Sequence, residues 1–130
     1  TGLLLLTNDG DLANEIQRSR NNHEKEYHVR VNTDITEDFI KKMSEGVEIL
    51  DTVTKPCKVK KTGTRNFSII LTQGLNRQIR RMCDASHVRV VHLKRVRIMN
   101  IRLGSLRPGE FRTLTRGEEQ ELRRLVQKRS

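Results

Sequence analysis

The side chains best suited to chemistry lie between Leu71 and Cys83, in the sequence L-T-Q-G-L-N-R-Q-I-R-R-M-C. An apolar strand end, a glycine turn and the start of a helix are predicted to follow one another here. The potential hydrogen-bond donors are two amides and three guanidinium groups: Asn76, Arg77, Gln78, Arg80 and Arg81. Such groups bind phosphate oxygens and the edges of bases. The segment therefore indicates a nucleic-acid site, with a solvated helix face as the alternative.

The positive charge of the chain is concentrated around this segment. The formal net charge of all 130 residues is +10. Residues 55–102 contain thirteen Lys or Arg and one acid, Asp84, a net charge of +12, whereas the remainder has thirteen bases and fifteen acids, a net charge of −2. Segregated cationic regions bind RNA or DNA because each neutralised phosphate releases counterions. An anionic membrane is the weaker alternative, since it would require a basic amphipathic helix.

The composition is typical of one folded domain, which we expect to extend over residues 1–130. Apolar residues make up 34%, charged residues 32% and aromatic residues 3%, and Trp is absent, so the core is predicted to be aliphatic. The longest apolar run, Gly2 to Leu6, is too short to span a membrane. Cys57 and Cys83 form no C-x-x-C pair, so we expect free thiols in a reducing, cytoplasmic compartment.

A metal site is an alternative for three residues near the arginines: Cys83, His87 and His92. The first two are predicted to lie one helical turn apart. A structural zinc ion needs four ligands, however, and no fourth is evident nearby. We therefore expect no metal.

The strand predicted at Glu24–Val31 alternates charged and apolar residues, which places Tyr27 on its buried face. Thr36 is predicted to cap the next helix, and Gly46 to end it. Thr115 and Glu118 predict a capping box for a last helix that buries Leu122, Leu125 and Val126. Further strands are predicted at residues 47–54, 57–61, 66–72 and 111–114, and one long strand or two at 88–103.

The first ten residues, T-G-L-L-L-L-T-N-D-G, are predicted to form a buried strand and a turn. Because a core strand starts so abruptly, we expect Thr1 to be an internal residue of a longer protein. Asp9 is interpreted as a turn residue and Asp11 as a helix cap, so neither is expected to be catalytic.

Three sequence blocks together resemble the pseudouridine synthases that modify bacterial ribosomal RNA. T-G-L-L-L-L-T-N-D-G is similar to the segment that follows the family's catalytic G-R-L-D motif, H-E-K-E-Y-H-V-R-V to its K-x-Y strand, and Q-G-L-N-R-Q-I-R-R-M-C to its arginine motif. The later R-I-M-N and L-x-P-G-E-x-R-x-L-T segments also fit, so the resemblance covers almost the whole chain. One local difference is Ser86-His87-Val88, where relatives carry a Phe-Gly-Tyr-like turn.

The resemblance implies an α+β fold, with a mixed, mostly antiparallel sheet flanked by helices, as in the C-terminal portion of the family's catalytic domain. It also implies isomerisation of uridine to pseudouridine in structured RNA, specifically large-subunit ribosomal RNA, without a cofactor or metal. The catalytic aspartate of G-R-L-D would precede Thr1, so residues 1–130 alone are expected to be inactive. We expect a monomer that does not associate with membranes.

Two residues match the family's catalytic positions. Arg80 falls at the conserved arginine and would pair with the aspartate, because a guanidinium favours an ionised carboxylate; a phosphate-binding or surface arginine is the alternative. Tyr27 matches the K-x-Y tyrosine, which stacks on the target uracil and whose hydroxyl would help to move the C5 proton. The alternative for Tyr27 is an ordinary aromatic residue of the strand core.

The other polar residues are interpreted as RNA contacts or scaffold rather than catalysts, because no step requires a lysine adduct and a guanidinium cannot act as a base. They are Lys25, Asn76, Arg77, Gln78 and Arg81, with Arg89 and Lys94 as further RNA-binding residues. A non-catalytic RNA-binding module would explain the same basic residues. DNA binding would require a recognition helix, of which the sequence gives no sign.

Overall fold

The computed structural model of the chain describes residues 23–75, 77–102 and 113–129. The elements in these ranges are β1 (Lys25–Val31), α1 (Glu37–Glu45), β2 (Glu48–Ile49), β3 (Thr52–Val53), β4 (Lys58–Gly63), β5 (Asn66–Leu71), α2 (Gln78–Ala85), β6 (Val90–Ile98), β7 (Ile101–Arg102) and α3 (Arg116–Arg129). The strand predicted at residues 1–10, the helix predicted to begin at Asp11, and Asn76 lie outside the described residues.

Five strands form one sheet in the order β4-β5-β1-β6-β7, and β2 and β3 form a separate hairpin. Every pairing among the described strands is antiparallel. The predicted α+β architecture with a mostly antiparallel sheet is therefore confirmed. The prediction of a single domain over residues 1–130 stays a prediction.

The alternating pattern of β1 and β5 divides this sheet into two faces. Val29, Phe67 and Ile69 are buried on what we call the inner face, whereas His28 and Arg30 point to the opposite, outer face and are exposed. On the inner face, Phe39 of α1 meets the edge of Phe67 with ring centroids 5.6 Å apart. The main core consists of Val29, Val31, Ile35, Phe39, Met43, Val47, Ile49, Phe67, Ile69, Leu71, Ile79, Met82 and Cys83.

Two helix starts are formed as the sequence predicts. The Thr36 Oγ1 atom accepts a hydrogen bond from the Phe39 N–H at 3.1 Å and caps α1, while Gly46, at φ +119°, ends it. At α3 the Thr115 and Glu118 side chains each accept a bond from the other residue's N–H, at 3.1 and 2.9 Å. Each cap satisfies N–H groups that helices leave unpaired, a contribution of about 1 kcal/mol.

The prediction of one strand at residues 47–54 is wrong, because the segment folds back on itself. β2 and β3 are joined by Leu50 and Asp51, both with positive φ, at 47° and 61°. A two-residue turn of this kind needs positive φ at both positions and is normally signalled by Asn-Gly or Asp-Gly. Leucine and aspartate give no such signal.

The last described helix packs on a second, smaller core. Leu122 of α3 is buried with Ile98, Met99 and Ile101, and the Asn100 amide donates to the Glu118 carbonyl at 3.0 Å. The predicted burial of Leu122 is thus confirmed, and Leu125 packs against the same group. The Val126 side chain lies outside the described residues.

The strand predicted at residues 111–114 is not formed in the described part of that range. The described part of that range, Thr113 and Leu114, leads into α3 without strand structure. Among the described helices, none is both long enough and apolar enough to cross a membrane.

Candidate functional site

The start of α2 is held by the Gln78 side chain, which is only 4% exposed. Its Oε1 accepts from the Leu75 N–H at 3.3 Å, and its Nε2 donates to Gln73 Oε1 at 3.2 Å. Gln73 Oε1 also accepts from the Lys55 N–H at 2.9 Å. The Gln78 amide is therefore buried and engaged within the protein, and its predicted roles, RNA contact or scaffold, stay predictions.

Arg80 lies on α2 at the edge of the main core. Its neighbours Ile79, Met82 and Cys83 are buried, and Arg80 itself is half-buried. Within the described residues the Arg80 guanidinium has no hydrogen bond or ion pair. A half-buried cation without a counter-charge is unfavourable, so this position suits an arginine that receives an acidic partner from elsewhere.

The charge of Arg80 acts on the nearby Cys83 thiol. Burial, and to a smaller extent the charge of Asp84, raise the pKa of Cys83 to about 12, while Arg80 acts to lower it. The guanidinium therefore lies close enough to this buried thiol to influence it. Cys83 is protonated at neutral pH and is a poor metal ligand in that form.

Tyr27 lies half-buried on the inner face of β1 and packs against the main core. Its neighbours across the sheet are Ile69 on β5 and Arg95 on β6. Because Ile79 and Met82 of α2 belong to the same core, Tyr27 and α2 pack against the same group of buried side chains. The Tyr27 ring thus packs on the core and stays partly exposed, while its catalytic role stays a prediction.

Arg95 is a residue that the sequence analysis missed. Between Glu26 and Tyr27 the pairing of β1 with β6 shifts, so that Glu26 lies opposite Arg97 and Tyr27 lies opposite Arg95, with Val96 as the extra residue. This β-bulge places a half-buried arginine on the inner face beside Tyr27. The only sequence signal is the Lys94-Arg95 pair, which interrupts the alternation of basic and aliphatic residues.

The residues predicted to contact RNA do not form one patch. Arg77 is exposed, with a left-handed backbone (φ 49°) just before α2, and Arg81 is half-buried on that helix. Lys25 lies on the inner face at the beginning of β1, opposite Leu71. Lys94 lies opposite His28 and therefore on the outer face, away from Tyr27.

Arg89 occupies the loop before β6 and is exposed. Its N–H donates to Asn32 Oδ1 at 3.0 Å, and its carbonyl accepts from the Asn32 N–H at 3.0 Å. These bonds fix the backbone on both sides of Arg89 and leave the side chain at the surface.

The helical spacing predicted for Cys83 and His87 is wrong, because α2 ends at Ala85 and His87 adopts a left-handed turn conformation at φ 60°. Cys83 is buried, whereas His87 and His92 are exposed. In residues 23–75, 77–102 and 113–129, no group of three or more His, Cys, Asp or Glu is placed to hold a metal ion.

Comparisons with known proteins match most of the chain to one family. Residues 1–85 match the family described as RNA pseudouridylate synthase. The chain is 54% identical over 129 residues to the dual-specificity RNA pseudouridine synthase RluF of Escherichia coli K12, covering 99% of this chain and 44% of that protein. It is 34% identical over 132 residues to the ribosomal large subunit pseudouridine synthase B of Bacillus subtilis, covering 97% and 54%.

A solved structure has the same fold. The crystal structure of a pseudouridylate synthase superimposes with a TM-score of 0.86 and 32% identity, over 94% of this chain and 54% of that one. The chain spans about half the length, or less, of the relatives that it matches.

Proposed function

Because the chain belongs to the RNA pseudouridylate synthase family, we propose that the full-length protein isomerises uridine to pseudouridine in RNA. In this reaction the bond between C1′ and N1 breaks, the uracil turns, C5 bonds to C1′, and the C5 proton is lost while N1 gains one. The G-R-L-D motif, to which the resemblance assigns the catalytic aspartate, is not part of residues 1–130. We expect these residues alone to bind RNA without turnover.

The observation that carries the proposal is the half-buried Arg80 guanidinium, which has no counter-charge among the described residues. A carboxylate brought next to it would form a charge-assisted, directional pair. That pair would keep the aspartate ionised and fix its direction toward the ribose, either as a nucleophile at C1′ or as a base for the 2′ proton. Arg80 would thus position the reacting carboxylate.

Tyr27 supplies the second part of the proposed pocket. A uracil turned out of its helix loses its stacking neighbours, and an aromatic ring on the inner face replaces them. In the described chain the Tyr27 hydroxyl has no hydrogen-bond partner, so it is available to the base and its C5 proton.

The proposed substrate is large-subunit ribosomal RNA in the cytoplasm. This narrower assignment is supported by the name of the Bacillus subtilis relative and by the cationic middle of the chain. A uridine in a loop is favoured, since unpairing costs least there. We further propose that the protein acts as a monomer, and that Arg77, Arg81, Arg89 and Lys25 contact the RNA around the target.

The test is turnover by the full-length protein on large-subunit ribosomal RNA labelled with tritium at C5 of uridine. Release of tritium to water is expected from the wild-type protein. Replacing Arg80 with Ala should lower the rate about a hundredfold or more, because a small misplacement of a reacting group has that effect. The dissociation constant for RNA should change little.

The matched control is Arg65→Ala. Arg65 is an exposed arginine that pairs with Asp34 at 3.0 Å, so its loss removes the same charge from a surface site. It should leave turnover unchanged. RNA binding by a full-length wild-type protein that releases no tritium would instead identify a non-catalytic binding module, and normal turnover by Arg80→Ala would refute the role of Arg80.

A further inference from the structure

The outer face of the sheet is a second cationic surface, separate from Tyr27 and Arg80. Its side chains lie in rows across the strands, because residues directly opposite each other share a face. One row consists of Lys58, Ile70, Glu26 and Arg97 and contains the ion pair of Glu26 with Arg97, whereas the two rows described next contain no acid. The first row is Lys60, Ser68, His28 and Lys94, on β4, β5, β1 and β6. The second row is Asn66, Arg30 and His92, on β5, β1 and β6. Every member of these two rows is polar.

Three basic side chains in these rows have no counter-charge among the described residues, whereas His28 lies 3.8 Å from a Glu26 carboxylate oxygen. Within the described residues, the charged groups of Arg30, Lys60 and Lys94 have no hydrogen bond or ion pair. Among neighbouring acids, Glu26 is engaged by Arg97 at 3.1 Å, and Asp34, near the rim, by Arg65 at 3.0 Å. Three uncompensated cations on one face therefore produce a positive potential.

An open groove of about 920 Å³ lies at the Arg30 end of this face; Arg30 lines it, whereas Lys60 and Lys94 lie on the face beyond its lining. Exposed side chains of both rows contribute to its lining, among them His28, Arg30, Asn66 and His92. The lining combines these polar side chains with apolar groups, including the exposed Val91. The shape and the charge together fit an extended polyanion.

We propose that the outer face binds the phosphate backbone of the substrate RNA, at a distance from the uridine that is isomerised. The proposal rests on the proposed function for the identity of the ligand. Lysine, arginine and amide groups are the usual donors to phosphate oxygens. No aromatic side chain belongs to either row, so the contact would follow the backbone and would not read or stack bases.

In this proposal the two faces of the sheet bind different parts of the RNA. The inner face would receive one flipped nucleotide, whereas the outer face would hold a segment of helix or strand beside it. Contacts to phosphates fix position and carry little sequence information. The outer face should therefore contribute affinity and salt dependence, and leave the chemical step unchanged.

The experiment compares two double variants of the full-length protein with equal net charge. Arg30→Gln with Lys94→Gln changes the outer face, while Lys41→Gln with Lys42→Gln changes exposed residues of α1. Binding of a fluorescein-labelled RNA stem–loop is measured by anisotropy over a range of salt concentrations. The outer-face pair should weaken binding and reduce the slope of log K against log salt by about 1 for each lost phosphate contact. The α1 pair should match the wild type.

Two further measurements keep the result interpretable. Acetylation of wild-type lysines in the presence and absence of RNA should show protection of Lys60 and Lys94 but not of Lys41, without any substitution. At limiting RNA, tritium release by the outer-face pair should fall in proportion to its weaker binding. Unchanged affinity and slope, or unprotected Lys60 and Lys94, would overturn the outer-face proposal; absence of tritium release by the wild type would overturn only the proposed function.

Discussion

Arg95 lies directly opposite Tyr27 on the inner face of the sheet, because one extra residue, Val96, shifts the pairing of β6 with β1. Directly opposed residues of an antiparallel pair have Cβ atoms about 4.5–5.5 Å apart. The same shift places Arg97 opposite Glu26 on the outer face, where the two form an ion pair at 3.1 Å. One bulge thus distributes two arginines to opposite faces, one beside the proposed base-stacking ring and one in a structural ion pair.

Replacing Tyr27 with Phe separates the ring from its hydroxyl. The hydroxyl has no hydrogen-bond partner among the described residues, so unfolding free energy should change by less than about 0.5 kcal/mol. The turnover of the full-length protein should fall about a hundredfold, since general acid–base groups contribute at least that much. Tyr27→Leu, which also removes stacking, should additionally weaken RNA binding. Wild-type turnover by Tyr27→Phe would exclude the hydroxyl from the C5 proton transfer.

Removing the Arg97 side chain should destabilise the sheet. Its side chain is 11% exposed, and the guanidinium contacts Glu26 at 3.1 Å and Glu24 at 3.3 Å. In Arg97→Met Glu24 loses this partner, and Glu26, which is only 15% exposed, keeps longer contacts, at 3.8 Å, with Arg102 and His28. We therefore expect a loss of about 3 kcal/mol in urea denaturation. The control is Arg123→Met, which removes a surface pair with Glu119 on α3 and should cost about 0.3–0.5 kcal/mol. Equal losses in the two variants would contradict this.

Two glycines should respond in opposite directions to substitution by alanine. Gly46 has φ +119°, and a Cβ atom there would lie 2.5 Å from the Thr54 carbonyl oxygen, so Gly46→Ala should destabilise by about 1–3 kcal/mol. Gly117 lies in the first turn of α3, where the nearest atom, Thr115 Oγ1, is 4.0 Å away. Gly117→Ala should therefore stabilise by up to about 1 kcal/mol. Thermal unfolding of both variants measures the difference.

The thiols should be unreactive at pH 8. Burial raises the pKa of Cys57 to about 11, and burial, with Asp84, raises that of Cys83 to about 12. Iodoacetamide attacks the thiolate, so alkylation of the folded protein should be slow and should accelerate in urea. Mass spectrometry of both peptides gives the rates, and Cys57, which is half-buried, should react before Cys83.

The same shifts determine how stability depends on pH. Between the unfolded thiol value of 9.0 and these higher folded values, the folded state retains protons that the unfolded state loses. The free energy of unfolding should therefore fall as pH rises from about 9 toward 12. In Cys83→Ala the decline over this range should be smaller. An identical pH profile for the variant would show that Cys83 does not contribute.

Elements that depend on residues close together in the sequence were predictable. The β1 alternation, the Thr36 cap and the Thr115–Glu118 capping box each depend on residues within one strand or one helical turn, and all three are confirmed. The candidate catalytic residues, Tyr27 and Arg80, came from the family resemblance. Their positions in the fold are compatible with the expected roles, which stay predictions.

What escaped prediction depends on contacts between distant residues. The burial of the Gln78 amide was not predictable, because a polar residue at a helix start gives no sign that its side chain will be buried and bonded to Gln73. The bulge at Val96 is a property of the pairing between β6 and β1, and no property of β6 alone fixes its place. The assignment of Lys94 to the face opposite Tyr27 follows from that pairing.

The division of the described apolar residues into a main core and a smaller core has a consequence for motion. α3 is attached through Leu122 to Ile98, Met99 and Ile101, whereas Tyr27 and the Arg80 helix depend on the main core. Because separately packed units open with separate free energies, amide hydrogens of α3 should exchange with solvent through a local opening that leaves β1 and β5 protected. The proposed pocket and the last helix would then belong to different cooperative units of the same chain.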